Sequence, residues 1–179
     1  MKRGDHVEAD VSLVRRARSG DQEALIQLIM NQKQEFYKLA YVYMKSEQEA
    51  MDALEDMIVT VYENIRNLKD DRAFYSWSKR ILVNCCKQKL RHRRRQVPVD
   101  RLPEGSYEEA FAGQEAKLLL EHHWAKLSPK YQDVLRLRYY LDLEYERIAE
   151  ILEIPLGTVK SRIHAGLQQL KASMGVMNE

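Results

Sequence analysis

YERIAEILEIPLGTVKSRIHAGLQQL (Tyr145–Leu170) decides how this chain is read. Ile148, Ala149 and Leu152 recur at helical spacing, Glu153-Ile154-Pro155 interrupts them, and a second helix is predicted from about Leu156 to Met174. Proline has no amide proton and clashes with the preceding turn, so one helix cannot run straight through this stretch. Two short helices joined by a tight break are the pattern of a helix-turn-helix. At about 100° per residue, Val159, Ile163, Leu167 and Leu170 fall on one side of the second helix, the side a core would take. The opposite side carries Thr158, Ser161, His164, Ala165 and Gln168, flanked by Lys160 and Arg162. Small polar side chains let a helix approach base edges in a major groove, and the flanking cations meet phosphates. No Asp or Glu stands between Ile154 and Met177, whereas a solvated bundle helix ordinarily carries both signs. Periodicity alone also fits a helical hairpin with no DNA to read.

Upstream, Ser128-Pro129 is a helix start, with Ser as the cap and Pro in the first turn, and Val134, Leu135, Leu137 and Tyr139 follow it. This helical block is expected to begin near Gln114. Residues 96–113 hold Pro98, Pro103, Gly105 and Gly113 without an apolar period, and read as a flexible linker. The expected organisation is all-α: a small helical domain over 1–95, a linker over 96–113, and a helix-turn-helix domain over 114–179.

In the first domain, Leu13, Val14 and Ala17 open a short helix that Gly20 can end, and Asp21 can cap a helix carrying Leu25 to Tyr43. Ser46 to Glu49 is a capping box, in which Ser46 takes the Glu49 amide and Glu49 reaches back. Ala50, Ala53, Leu54, Met57, Ile58, Val61 and Ile65 then form an apolar stripe. Asn67 to Arg72 is a polar loop, and Asp71 is the expected cap of a long helix whose apolar arc is Phe74, Trp77, Ile81, Leu82 and Cys85.

The net charge is only +2, but its distribution is uneven. Ser46 to Ile65 holds six acids and no Lys or Arg, while Lys79 to Arg95 holds eight Lys or Arg and no acid, which suggests two surfaces for two kinds of partner. Arg80, Asn84, Lys87 and Arg91 share one face of their helix, with Trp77 at its margin. A basic stripe beside an aromatic suits a nucleic-acid backbone with a base stacked or splayed. A solvated basic helix end is the plainer alternative, as a solvated face is for the acidic helix.

An enzyme is disfavoured. His6, His92, His122, His123 and His164 show no ligand spacing, and neither a glycine-rich phosphate loop nor a nucleophile motif is present, so no metal, cofactor or small-molecule substrate is expected. Cys85 and Cys86 are neighbours, a poor geometry for a disulfide. With no apolar signal region in MKRGDHVEAD and no run of about 18 apolar residues, a cytoplasmic protein without membrane insertion is expected.

Three segments, taken in order, resemble the extracytoplasmic-function sigma factors. AMDALEDMIVTVY (Ala50–Tyr62) resembles their polymerase-binding helix, AFYSWSKRILVN (Ala73–Asn84) their promoter-melting helix, and Leu127 to Leu170 their fourth conserved region, most specifically through GTVKSR (Gly157–Arg162). The resemblance implies that Asp52, Glu55, Asp56 and Val59 dock on the clamp helices of core RNA polymerase. It implies that Asn67, Lys69, Arg72, Trp77, Arg80, Asn84, Lys87 and Arg91 take the non-template strand of a minus-ten element. Thr158, Lys160, Ser161, Arg162, His164 and Gln168 would read a minus-thirty-five element. The acidic linker would thread the polymerase channel, and an anti-sigma factor is the further partner implied. Ala165 and Leu167 stand where relatives carry Arg, Glu153 where they often carry Gly, and Ser78 and Lys79 where apolar or aromatic residues are usual. A stand-alone helix-turn-helix regulator, its N-terminal half a dimerisation or effector module, is the competing reading.

Overall fold

A computed structural model describes residues 3–96 and 122–175. The chain divides into two compact units, Met1–Arg101 and Leu102–Glu179. Among the described residues all regular structure is helical. Most of the expected linker lies outside the described residues; Gln96, its first residue, ends a helix.

The N-terminal unit holds α1 (Arg3–Arg18), α2 (Gln22–Asn31), α3 (Lys33–Met44), α4 (Glu47–Asn64) and α5 (Phe74–Gln96). α1 begins well before the expected Leu13. Gly20 turns the chain at φ +104°, where a side chain would be strained, and the Asp21 carboxylate accepts the Ala24 amide at 3.1 Å to start α2. The single helix expected from Asp21 to Tyr43 is broken at Gln32, with φ −122° and ψ 18°. Neither Gly nor Pro announces this break. Its effect is to re-aim the apolar residues, so that Leu25 and Leu28 are buried from α2 while Phe36, Leu39, Ala40 and Tyr43 are buried from α3.

Ser46 caps α4 through the Glu49 amide, at a long 3.4 Å. The Glu49 carboxylate, expected to reach back to Ser46, instead takes Arg93 of α5 at 3.1 Å. Ala50 and Ala53 are fully buried and let α4 approach its neighbours closely, while Ile58, expected in the apolar stripe, is 40% exposed. On α5, Phe74, Ile81, Leu82, Val83 and Cys86 are buried, whereas Cys85 is only half-buried. Burying a side chain such as Phe36, Leu39, Phe74 or Leu82 contributes roughly 1.5–3 kcal/mol, against about 0–1 kcal/mol for a surface ion pair. The apolar contacts therefore hold the bundle, and the ion pairs adjust its surface.

The C-terminal unit comprises helical residues 122–126, α6 (Pro129–Leu135), α7 (Tyr145–Leu152) and α8 (Leu156–Ser173). Ser128 precedes α6 as expected, but it caps with its backbone: its carbonyl accepts the Tyr131 and Gln132 amides at 2.9 and 3.1 Å, while its hydroxyl is buried without a partner. The buried Gln132 side chain donates to the Trp124 and Leu127 carbonyls at 3.0 and 2.9 Å, tying the preceding segment to α6. α6 then widens into a π-helical turn over Arg136–Tyr140. That turn places Tyr139, expected among the apolar positions, 58% exposed. Leu127, Val134, Leu135, Leu137, Ile148, Ile151, Val159 and Ile163 form the core.

Candidate nucleic-acid and protein interfaces

α8 is set by its first turn. Pro155 precedes it with φ −56°, and its carbonyl accepts the Thr158 and Val159 amides at 2.8 and 3.1 Å. Val159, Ile163 and Gly166 are buried, which turns the opposite side outward. There Lys160, Ser161, His164 and Gln168 are exposed, and Thr158, Arg162 and Ala165 are half-exposed. Ser161 donates to the Thr158 carbonyl at 3.1 Å but remains at the surface. Sequence reasoning missed Gly166, whose missing side chain allows the close approach to α6. A Cβ there would lie 3.0 Å from Leu135 Cδ1 and 3.2 Å from Tyr131 Cβ. The available signal was a glycine inside a helix, at the edge of the apolar stripe.

In the N-terminal unit the connection from α4 to α5 is two 3-10 turns, Ile65–Asn67 and Asp71–Ala73, around Leu68 to Asp70. Ile65 and Leu68 are buried and anchor it from beneath, while Asn67, Lys69 and Arg72 are exposed. The cap of the second turn is Asp70, not the expected Asp71: its carboxylate accepts the Arg72 amide at 3.0 Å. Asp71 is otherwise engaged, with Arg15 Nε at 3.0 Å and Arg18 Nη1 at 2.8 Å, and these two guanidinium groups hold its carboxyl below the ordinary range.

Beyond the loop, Trp77 is half-buried beside Phe74. Ser78 is fully buried and donates to the Phe74 carbonyl at 2.8 Å, so its hydroxyl is satisfied inside the core. Arg80 and Lys87 are half-exposed, and Asn84 and Arg91 exposed. Asn84, Lys87 and Arg91 line an open groove together with Gln88 and His92, neither of them expected at this face, although Gln88 stands one turn beyond Asn84.

On α4, Asp52, Glu55, Asp56 and Val59 are exposed along one side. Asp56 meets Lys89 of α5 at 2.8 Å, and this hydrogen bond raises the Lys89 pKa. Burial, and then the Asp56 charge, push the Cys85 thiol up. With the Glu49–Arg93 pair, the contact shows that part of the charge segregation seen in the sequence is matched internally, between α4 and α5. Met51, Ile58 and Tyr62 add exposed apolar surface beside Val59, and Tyr62 accepts a hydrogen bond from Gln22 at 3.0 Å.

Among the described residues no three His, Cys, Asp or Glu side chains gather as metal ligands, and no helix is long and apolar enough to cross a membrane.

The model of sigma-70 region 2 matches residues 28–96, and that of sigma-70 region 4 matches residues 120–170. The chain is 28% identical to the ECF RNA polymerase sigma factor SigW of Bacillus subtilis, over 90% of this chain and 94% of that protein. It is 29% identical to the RNA polymerase sigma-H factor of Pseudomonas aeruginosa, covering 87% of this chain and 89% of the other. Among solved structures it resembles CnrH in complex with the cytosolic domain of CnrY, with a TM-score of 0.66 at 20% identity over 95% of this chain and 99% of that one. It also resembles the sigma factor RpoE in complex with the anti-sigma factor NepR from Bartonella quintana, with a TM-score of 0.58 at 19% identity over 85% and 97% of the two chains.

Proposed function

The chain belongs to the extracytoplasmic-function group of the sigma-70 family of RNA polymerase sigma factors, and from that premise we propose a division of labour among its surfaces. Residues 1–95 bind core RNA polymerase through Asp52, Glu55, Asp56 and Val59. The same domain takes the minus-ten strand through Asn67, Lys69, Arg72, Trp77, Arg80, Asn84, Lys87 and Arg91. Residues 114–179 read the minus-thirty-five element through Thr158, Lys160, Ser161, Arg162, His164 and Gln168, and 96–113 link the two. The protein performs no catalysis of its own: it supplies promoter specificity to the polymerase in the cytoplasm. An anti-sigma factor is the expected third partner, as the Bartonella relative was solved with one.

One observation carries this reading. The outward side of α8 presents Lys160, Ser161, His164 and Gln168 to solvent, on a helix without a carboxylate. Duplex DNA repels carboxylates and attracts cations through its phosphates, and base edges need small polar donors and acceptors close by. The test is sequencing of transcript starts from genomic DNA after the chain is added to core polymerase. A shared pair of upstream elements is expected; random starts from every template would end the reading.

A further inference from the structure

α1 (Arg3–Arg18) lies outside both stretches matched by the sigma-70 models, so that match gives it no task. It nevertheless touches both the promoter-facing loop and the first turn of α5 that follows it. Its last turn holds Asp71 through Arg15 and Arg18, at 3.0 and 2.8 Å. Midway along it, Asp10 accepts the Tyr75 hydroxyl at 3.1 Å and the Asn31 amide at 3.3 Å. Asp71 and Tyr75 stand on either side of the start of α5, so α1 spans the junction between loop and helix. Arg18 makes its contact through Nη1, while its Nε is buried without an acceptor.

We infer that α1 is a splint that keeps residues 65–73 in the shape that accepts a single DNA strand, with Asp10, Arg15 and Arg18 as positioning residues that do not themselves touch DNA. This rests on the reading of that loop as the minus-ten site. The loop is anchored from beneath by only two buried side chains, Ile65 and Leu68. Small connections of this kind open locally without unfolding the domain. A ligand that binds one loop shape pays for the fraction of time the loop spends elsewhere, because the apparent Kd rises as the competent fraction falls. Polar ties too weak to decide the stability of the bundle can therefore set that fraction. Asn67, Lys69 and Arg72 take no part in these ties and are exposed, which leaves them available for the strand.

The test uses full-length Asp71→Asn/Tyr75→Phe protein assembled with core polymerase. Its probe is a labelled single-stranded oligonucleotide copied from the minus-ten region of a mapped start. Oligonucleotide affinity is expected to fall about tenfold while polymerase affinity stays within about twofold, and amides 66–73 exchange hydrogen faster as those of α3 hold. Arg15→Gln, at a largely exposed side chain, should move the oligonucleotide affinity in the same direction by less. If exchange quickens but oligonucleotide affinity does not change, the splint role is refuted and α1 merely buttresses the fold. Parallel loss of oligonucleotide and polymerase affinity refutes it too. Should the unsubstituted holoenzyme bind a scrambled oligonucleotide equally well, the minus-ten reading itself falls, a result visible without any variant.

Discussion

α5 and α8 are both rich in cations, and they carry them for different reasons. On α5, Lys89 and Arg93 turn inward to Asp56 and Glu49 of α4, at 2.8 and 3.1 Å. On α8 the helix is held by Val159, Ile163 and Gly166 against an apolar neighbour, and Lys160 is left to solvent. A run of Lys and Arg therefore does not count phosphate contacts; the helix packed alongside decides how many charges remain for a partner. The contrast also says what each position depends on. α8 depends on a close fit with α6, whereas the α4–α5 pairs sit at a surface whose core is already secured.

The sharpest way to break this contrast is Gly166→Val. The new side chain meets Leu135, which is fully buried, and the Cβ of Tyr131. Overpacking of this kind costs typically 1–3 kcal/mol, more than the few tenths that Val regains over Gly in helix propensity. The C-terminal unit should lose about 2 kcal/mol and promoter DNA binding should fall more than tenfold, with polymerase affinity through α4 retained. Segment-resolved hydrogen exchange and holoenzyme titration measure the two effects. Equal stability would show that α6 and α8 have slack at this crossing.

Asp56 offers the complementary test, because its carboxylate is shared between Lys89 and the proposed polymerase surface. Asp56→Arg is expected to weaken polymerase binding about tenfold or more, since like charges at an interface cost several kcal/mol. It also faces Lys89 with a second cation. Adding Lys89→Glu rebuilds the internal pair with its sign reversed, and polymerase affinity should stay low. Recovery in the double variant would mean that the internal pair, not docking, needs Asp56. A smaller effect separates the two cations directly. Lys160→Ala should weaken DNA binding for every sequence and lower the salt slope by about one, while Lys89→Ala leaves that slope unchanged. Ser161→Ala or Gln168→Ala should instead alter which promoters are chosen.

The sequence conveyed most where one physical rule acts alone. The 3.6-residue period placed Val159 and Ile163 inside, and so turned Ser161, His164 and Gln168 outward. A capping side chain placed Asp21 and Ser46 correctly. It conveyed least where two rules compete for one group. Asp71 has the chemistry of a cap, but two arginines 56 and 53 positions upstream claim its carboxylate, and Asp70 caps instead. Glu49 was drawn from its capping box by Arg93 in the same way. The break at Gln32 follows from where the core lies, which no local pattern records. Of the candidate interfaces, helix faces were readable; the pairing of α4 acids with α5 bases was not, because it depends on which side of one helix meets the other.

The smallest prediction concerns the turn of the helix-turn-helix. Glu153 adopts φ 51° and ψ 48°, the left-handed region that favours glycine, and its amide and that of Ile154 both reach the Ala149 carbonyl. Holding a residue with a Cβ there costs about 1–2 kcal/mol. Glycine removes that strain, but it gives back about 0.4–1 kcal/mol through the greater freedom of the unfolded chain. Glu153 is exposed, so a surface interaction there is worth about 0–1 kcal/mol, with exposed pairs mostly in the lower half of that range. Glu153→Gly should therefore stabilise the C-terminal unit by about 0.5 kcal/mol, read as slower exchange of the Ile148 and Ile151 amides. DNA affinity should not change, because the turn already has the shape that glycine prefers. A loss of stability would mean that the Glu153 side chain contributes more to the turn than its backbone strain removes, and α7 and α8 would then owe their crossing to a polar contact rather than to apolar fit.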